Sequence, residues 1–151
     1  MKEIQDFFTQ RLEAVKSDFL KDLDAFTPDQ QSSSPGGSAR TPLDLAYEVA
    51  FVNNRMAARI RGDEVGPFPQ GWMKAPEGYA AKAREEFAAS MDAIISAWSS
   101  LPPNELLRPI QLPTEVTHPL DLMYLVCYHT GYHDGQLNYL QSFYGDEKIH
   151  W

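Results

Sequence analysis

Apolar side chains recur every three or four residues over four long stretches of this chain, the spacing of amphipathic α-helices. The first stretch runs from about Lys2 to Phe26, with Ile4, Phe8, Leu12, Val15, Phe19, Leu23 and Phe26 on one face and no Gly or Pro within it. The second opens at Thr41-Pro42-Leu43-Asp44. There Thr41 can cap, Pro42 suits the first helical position and Asp44 adds first-turn negative charge. It continues through Leu45, Val49, Val52, Met56 and Ile60 and stops near Gly62, with Asn53 and Asn54 off the apolar stripe. A third helix is predicted from about Tyr79 to Ser100, and a fourth from about Pro119 to Tyr144. Between them lie a Ser-, Gly- and Pro-rich stretch from Thr27 to Arg40, expected to be a mobile surface loop, the loop Gly66 to Trp72, and the Pro-punctuated segment Pro102 to Pro113. No segment shows sustained alternation or a β-branched run. The predicted class is therefore all-α, a four-helix bundle with long inter-helix loops that can roof one end and shape a pocket.

The last helix breaks its own pattern. Leu122, Leu125, Val126 and Leu140 share a face with His129, His133 and Gln136. Histidines four residues apart lie one turn from each other, so their rings can reach a common point. Such a pair can be a satisfied core feature or two ligands of one metal ion, histidine being the commonest metal-binding side chain. A third ligand on another helix decides between them. Helix two offers Glu48, a carboxylate beside Leu45 and Val52 in an otherwise apolar stripe, where the alternative is a side chain reaching out to water. A salt bridge from Glu48 to Arg55 is awkward, because two turns separate them.

Composition narrows the setting. At 151 residues with 43% hydrophobic and 23% charged content, the chain is expected to be one soluble domain spanning 1–151. The charged N-terminus leads into an amphipathic pattern, and no apolar run is long enough to span a membrane. One cysteine, Cys127, excludes an internal disulfide and fits a reducing compartment, so a cytoplasmic location is expected. A net charge of −8 and a pI near 4.9 argue against nucleic acid as a partner.

The run His129-x-x-x-His133-x-Gly135-Gln136, followed by Leu137 and Tyr139-Leu140, resembles the last-helix signature of the DinB/YfiT-like metalloprotein superfamily. The segment Thr41 to Val49 is similar to the one in which that family carries its first metal-binding histidine. The resemblance implies a four-helix bundle with a long crossover, a divalent metal held by three side chains from helices two and four, and often a homodimer. His129 and His133 carry over directly as ligands. Glu48 stands where the family usually has histidine and carries over as a replacement. Two histidines and one carboxylate are a known ligand set for zinc and for non-haem iron. Zinc or nickel leads the expected metals, with iron and manganese as the other candidates. Three protein ligands leave a coordination position open, as in catalytic sites. The implied activities are thiol-dependent transfer using a low-molecular-weight thiol, and metal-dependent hydrolysis, on a small-molecule substrate. The alternative is a non-catalytic, stress-related binding bundle with a structural or vestigial metal site. Gln136 could bind a ligand, brace the site by a hydrogen bond, or be a partly buried amide satisfied by the backbone, and Tyr47, Tyr128 and Tyr132 could line a pocket or belong to the core.

Other constellations carry less. Glu115-x-x-His118 and Glu147-x-x-His150 sit at a helix start and in the terminal tail, not mid-helix as a di-iron bundle requires. Cys127 points away from the histidine face and has no adjacent basic partner, so no nucleophilic role is expected. Gly131 and Gly135 share an outer face, which suggests close approach of another helix, from a second subunit.

Overall fold

The computed structural model describes residues 1–150. Five α-helices make up most of it: α1 Lys2–Asp24, α2 Pro28–Gln31, α3 Pro42–Arg61, α4 Ala83–Ser99 and α5 Pro119–Phe143. The four long ones form the bundle. Each packs on two neighbours, α1 on α4 and α5 and α3 on the same pair, so α1 and α3 lie diagonally across the core. Leu12, Phe19, Val49, Phe87, Met91, Ile94, Trp98, Met123, Val126 and Leu137 are fully enclosed. Phe19 of α1 stacks on Phe87 of α4, ring centroids 4.2 Å apart. No helix among the described residues is long and apolar enough to cross a membrane.

Local chemistry sets the element ends. Thr41 Oγ1 accepts from the Asp44 amide while Asp44 Oδ2 accepts from the Thr41 amide, a reciprocal capping box with Pro42 at the first position. Asp44 Oδ1 also accepts from the Ala75 amide at 2.8 Å, pinning the loop between α3 and α4 to the start of α3. At the other end Gly62 takes φ 89°, the left-handed conformation that closes the helix with Asp63 N–H on the Ala58 carbonyl. Arg55 lies over the rings of Phe51 and Phe68 and donates to the Gly66 carbonyl, holding the same loop.

The structure departs from the periodic reading in several places. The stretch 27–40 begins with a helical turn, α2, capped by Thr27 and Gln30 in a second capping box, and Tyr144 Oη donates to the Ser33 carbonyl at 3.1 Å. That loop is thus tied to the end of α5. Tyr79–Ala81 is a separate 3₁₀ turn ahead of α4. The segment after α4 holds a second 3₁₀ turn, Pro103–Glu105, and one arm of a two-residue antiparallel ribbon, Ile110–Gln111 with Val116–Thr117. On α1 the buried residue near the start is Gln5, not Ile4, because Gln5 Nε2 donates to the Trp98 carbonyl and Trp98 Nε1 donates to the Gln5 carbonyl. Asn53 is fully buried although the stripe excludes it. The α3 face is broad because it serves both α4 and α5, and Asn53 Nδ2 lies 3.4 Å from Ser90 Oγ and 3.0 Å from Met91 Sδ. Leu125, expected on the inner face of α5, is exposed at the edge of that face.

Candidate metal centre

The apolar stripes of α3 and α5 meet along adjacent sides of the bundle, and their polar interruptions meet with them. Glu48 comes from the second turn of α3; His129 and His133 come from consecutive turns in the middle of α5. Glu48 Oε1 lies 3.6 Å from His129 Nε2 and 3.5 Å from His133 Nε2, and the two Nε2 atoms are 3.2 Å apart. His133 is almost wholly enclosed, while Glu48 and His129 keep a small exposed edge toward a cavity.

These spacings test whether the residues fit a metal. Ligand atoms placed tetrahedrally about 2.0–2.1 Å from a zinc ion stand about 3.3–3.4 Å from one another. The three observed separations bracket that value. The group could hold a metal ion as it stands, with no rearrangement of the helices that carry it.

The surroundings fix each donor. His133 Nδ1 and Gln136 Oε1 are 2.7 Å apart. An amide oxygen can only accept, so Nδ1 carries the proton and the Nε2 lone pair faces Glu48. Gln136 Nε2 in turn donates to Tyr132 Oη at 3.2 Å. Of the roles foreseen for Gln136, the structure shows a hydrogen bond to His133 and not an amide satisfied by the backbone. Burial lowers the pKa of both imidazoles, to about 4 for His129, where the neighbouring His133 lowers it further and Glu48 opposes the shift. Both rings are therefore neutral at physiological pH, the form in which imidazole ligates. His129 Nδ1 is buried with no partner.

Sequence reading missed one member. Arg40, last residue but one before α3, donates from Nη2 to Glu48 Oε2 at 2.5 Å and to the Asp44 carbonyl at 3.1 Å. One carboxylate oxygen thus faces the imidazoles while the other is held by a guanidinium. The signal available was weak: an arginine at the end of a loop of small residues, eight positions before the carboxylate it meets.

The centre opens into a cavity of about 560 Å³ bounded by Arg40, Leu45, Trp72, Tyr128, Tyr132 and Leu140. Tyr128 and Tyr132 are more than half exposed and stack on each other along the outer side of α5, so they are cavity wall and not core. Tyr47 lies elsewhere, edge-on to Tyr79. The loop 27–40 contributes Pro35, Gly36 and Ser38 to the rim.

The other candidates stay apart from this centre. His118 bonds Asp121 and His150 bonds Asp146, each within its own segment. Burial raises the Cys127 thiol to about 11, which removes the thiolate at neutral pH.

A family model described as the DinB superfamily matches residues 10–137. No curated protein matches the chain. Among solved structures, one titled as the crystal structure of a conserved protein from Enterococcus faecalis superposes with a TM-score of 0.75. It covers 93% of this chain and 97% of its own at 14% identity, a likeness of fold.

Proposed function

The chain belongs to the DinB superfamily, and from that premise we propose that it is a metal-dependent enzyme acting on a small molecule, by thiol-dependent transfer or by hydrolysis. The observation that carries this reading is the convergence of Glu48 Oε1 and two imidazole Nε2 atoms at the mouth of a cavity. A divalent ion held there supplies a Lewis acid with an open position, able to activate a thiol or water or to polarise a carbonyl. Zinc or nickel is the first candidate in this reading, with iron or manganese next, since two imidazoles and a carboxylate serve both zinc and non-haem iron. The chain's own residues do the rest. Gln136 holds His133 in the ligating tautomer, Arg40 holds the far oxygen of Glu48, and Trp72, Tyr128 and Tyr132 line the cavity beside them.

Zinc-loaded protein given 2-mercaptoethanol and 1-chloro-2,4-dinitrobenzene is expected to form the thioether faster than the metal-stripped protein does. In hydrolysis, a p-nitrophenyl ester is expected to release nitrophenolate under the same dependence. If neither rate depends on the metal while zinc is bound, the chain is a binding bundle. The Arg40–Glu48 contact favours that second reading, because a guanidinium already neutralises the carboxylate without any ion.

A homodimer through α5 is part of the proposal. Gly131 and Gly135 are exposed, an added Cβ on either meets nothing within 4 Å, and Tyr124, Tyr128, Tyr132 and Tyr139 surround them in the open. A second copy would cover this face. Sedimentation at micromolar concentration is expected to show a dimer that Gly131→Leu weakens; a monomeric parent chain would remove this part of the reading.

A further inference from the structure

We infer that the molecule held in this cavity carries a flat, uncharged aromatic body and that Trp72 is the ring that selects it, an inference that rests on the metal reading above. Nothing within the described chain explains where Trp72 sits. It belongs to the loop between α3 and α4, which is tied down on both sides of it. The Ala75 amide donates to Asp44 Oδ1 at 2.8 Å, and Arg55 donates to the Gly66 carbonyl while lying over the ring of Phe68. Directly before Trp72, Gly71 takes φ 79°, a left-handed turn; directly after it, Met73 is buried. The backbone is thus held, yet the indole is 67% exposed and borders the cavity. Among the described residues it stacks on no other ring and makes no hydrogen bond. Nor is it a lone exposed side chain. Tyr128, Tyr132, Tyr139 and Phe143 of α5 bound the same cavity, and each is more than half exposed. Apolar surface gathered around one opening marks a binding site.

The charges of the cavity leave no place for an ion on the ligand's body. Among the described residues that bound it, Arg40 and Glu48 alone are charged, and they pair with each other. Both Nη2 hydrogens of Arg40 go to Glu48 and to the Asp44 carbonyl, and its Nε is enclosed. Glu48 has one oxygen on that guanidinium and the other facing the imidazoles. A charged group on the body would therefore give up water and gain no partner, which is costly. Any charge on the ligand belongs at the end that meets the metal. Leu45, Leu140 and the five rings offer apolar surface to the rest. Rings prefer offset-stacked or edge-on contact with another ring, a gain beyond the area buried, so this wall favours an aromatic body over an aliphatic one.

The test is calorimetric titration of zinc-loaded protein with three thiols that share one metal-binding end, with zinc content measured on every sample. They are phenylmethanethiol, cyclohexylmethanethiol and the para-carboxylate of the first. Phenylmethanethiol is expected to bind tighter than the cyclohexyl compound, although the latter is the more apolar, and at least about tenfold tighter than the para-carboxylate. Trp72→Ala is expected to weaken phenylmethanethiol about tenfold and to erase its lead over the cyclohexyl compound, while zinc content stays at that of the parent. Trp72→Phe keeps a ring and is expected to retain most of that lead. Where Trp72→Ala fails to fold or to hold zinc, Trp72→Leu, apolar without a ring, decides, and an undiminished lead there overturns the inference. A cyclohexyl compound or a para-carboxylate that binds the parent as tightly as phenylmethanethiol, or an undiminished lead in Trp72→Ala, also overturns it, and zinc bound at full content in those samples leaves the metal reading standing. A parent protein that takes up no zinc overturns both.

Discussion

His133→Ala is expected to cost this protein its metal, lowering zinc affinity by about two orders of magnitude or more. Removing a group that merely orients a ligand typically lowers affinity about 10- to 100-fold, and removing the ligand itself exceeds that. His133 is the donor most committed to the site. Its side chain is 3% exposed, its Nδ1 is engaged by Gln136, and its Nε2 faces both other donors. No other histidine, cysteine or carboxylate among the described residues shares the group that could hold the ion, so none can replace it. Competition against a chromophoric chelator gives the affinity, and elemental analysis gives the content. Gln136→Ala run alongside is expected to lose less, because the imidazole remains and only its tautomer and orientation are freed. Full zinc content in His133→Ala would show that the ion, if one binds, sits elsewhere.

How far the sequence anticipates this arrangement depends on whether a residue's partner lies along its own helix. The four long helices are legible because each must bury a stripe, and periodicity reports that stripe directly. Glu48, His129 and His133 are legible as polar breaks in apolar faces, and the structure brings all three together. Gln5, Asp22 and Gln141 are buried polar breaks of the same kind that periodicity does not single out, and Asn53 is another, which the periodic pattern places off the stripe. What distinguishes them is the partner across the bundle: the Trp98 carbonyl for Gln5, Asp22 for Gln141. Such pairings join residues 93 and 119 positions apart, beyond any local pattern. The ribbon at Ile110–Gln111 is too short to show alternation, and α2 too short to show periodicity. Its capping pair Thr27 and Gln30 was the one local sign of the turn. Arg40 escaped for a further reason: its role is set by the way the loop folds back onto α3.

Asp134→Asn is expected to stabilise the metal-free protein at alkaline pH and to remove most of the pH dependence of its melting above neutrality. Asp134 of α5 lies by Asp22 of α1, which is fully buried and accepts from Asn138 Nδ2 at 2.6 Å and from Gln141 Nε2 at 3.1 Å. Asp134 Oδ1 is itself buried with no partner. Burial first, then the charge of Asp22 and a hydrogen bond to it, push the Asp134 carboxyl up to about 8. Near neutral pH it holds a proton that it can donate to Asp22. The folded pKa lies above the ordinary value of 3.8, so between these values the folded chain binds the extra proton and stability falls as pH rises. His129 works in the opposite sense. Its folded pKa of about 4 lies below 6.5, so the unfolded chain holds the extra proton and stability rises with pH across that interval. The two effects oppose each other from about 4 to 6.5, and from 6.5 to about 8 Asp134 acts alone. The melting temperature of the parent is therefore expected to fall over that upper interval. Asparagine mimics the protonated acid without the titration, and at pH about 8.5 relief of a buried unpaired charge is worth about 1–3 kcal/mol. For a chain of this length that is a rise in melting temperature of about 2–12 °C. Scans of chelator-treated parent and variant from pH about 6 to 9 check it, and a variant that melts lower than the parent at the alkaline end would show that the two carboxylates are not sharing a proton.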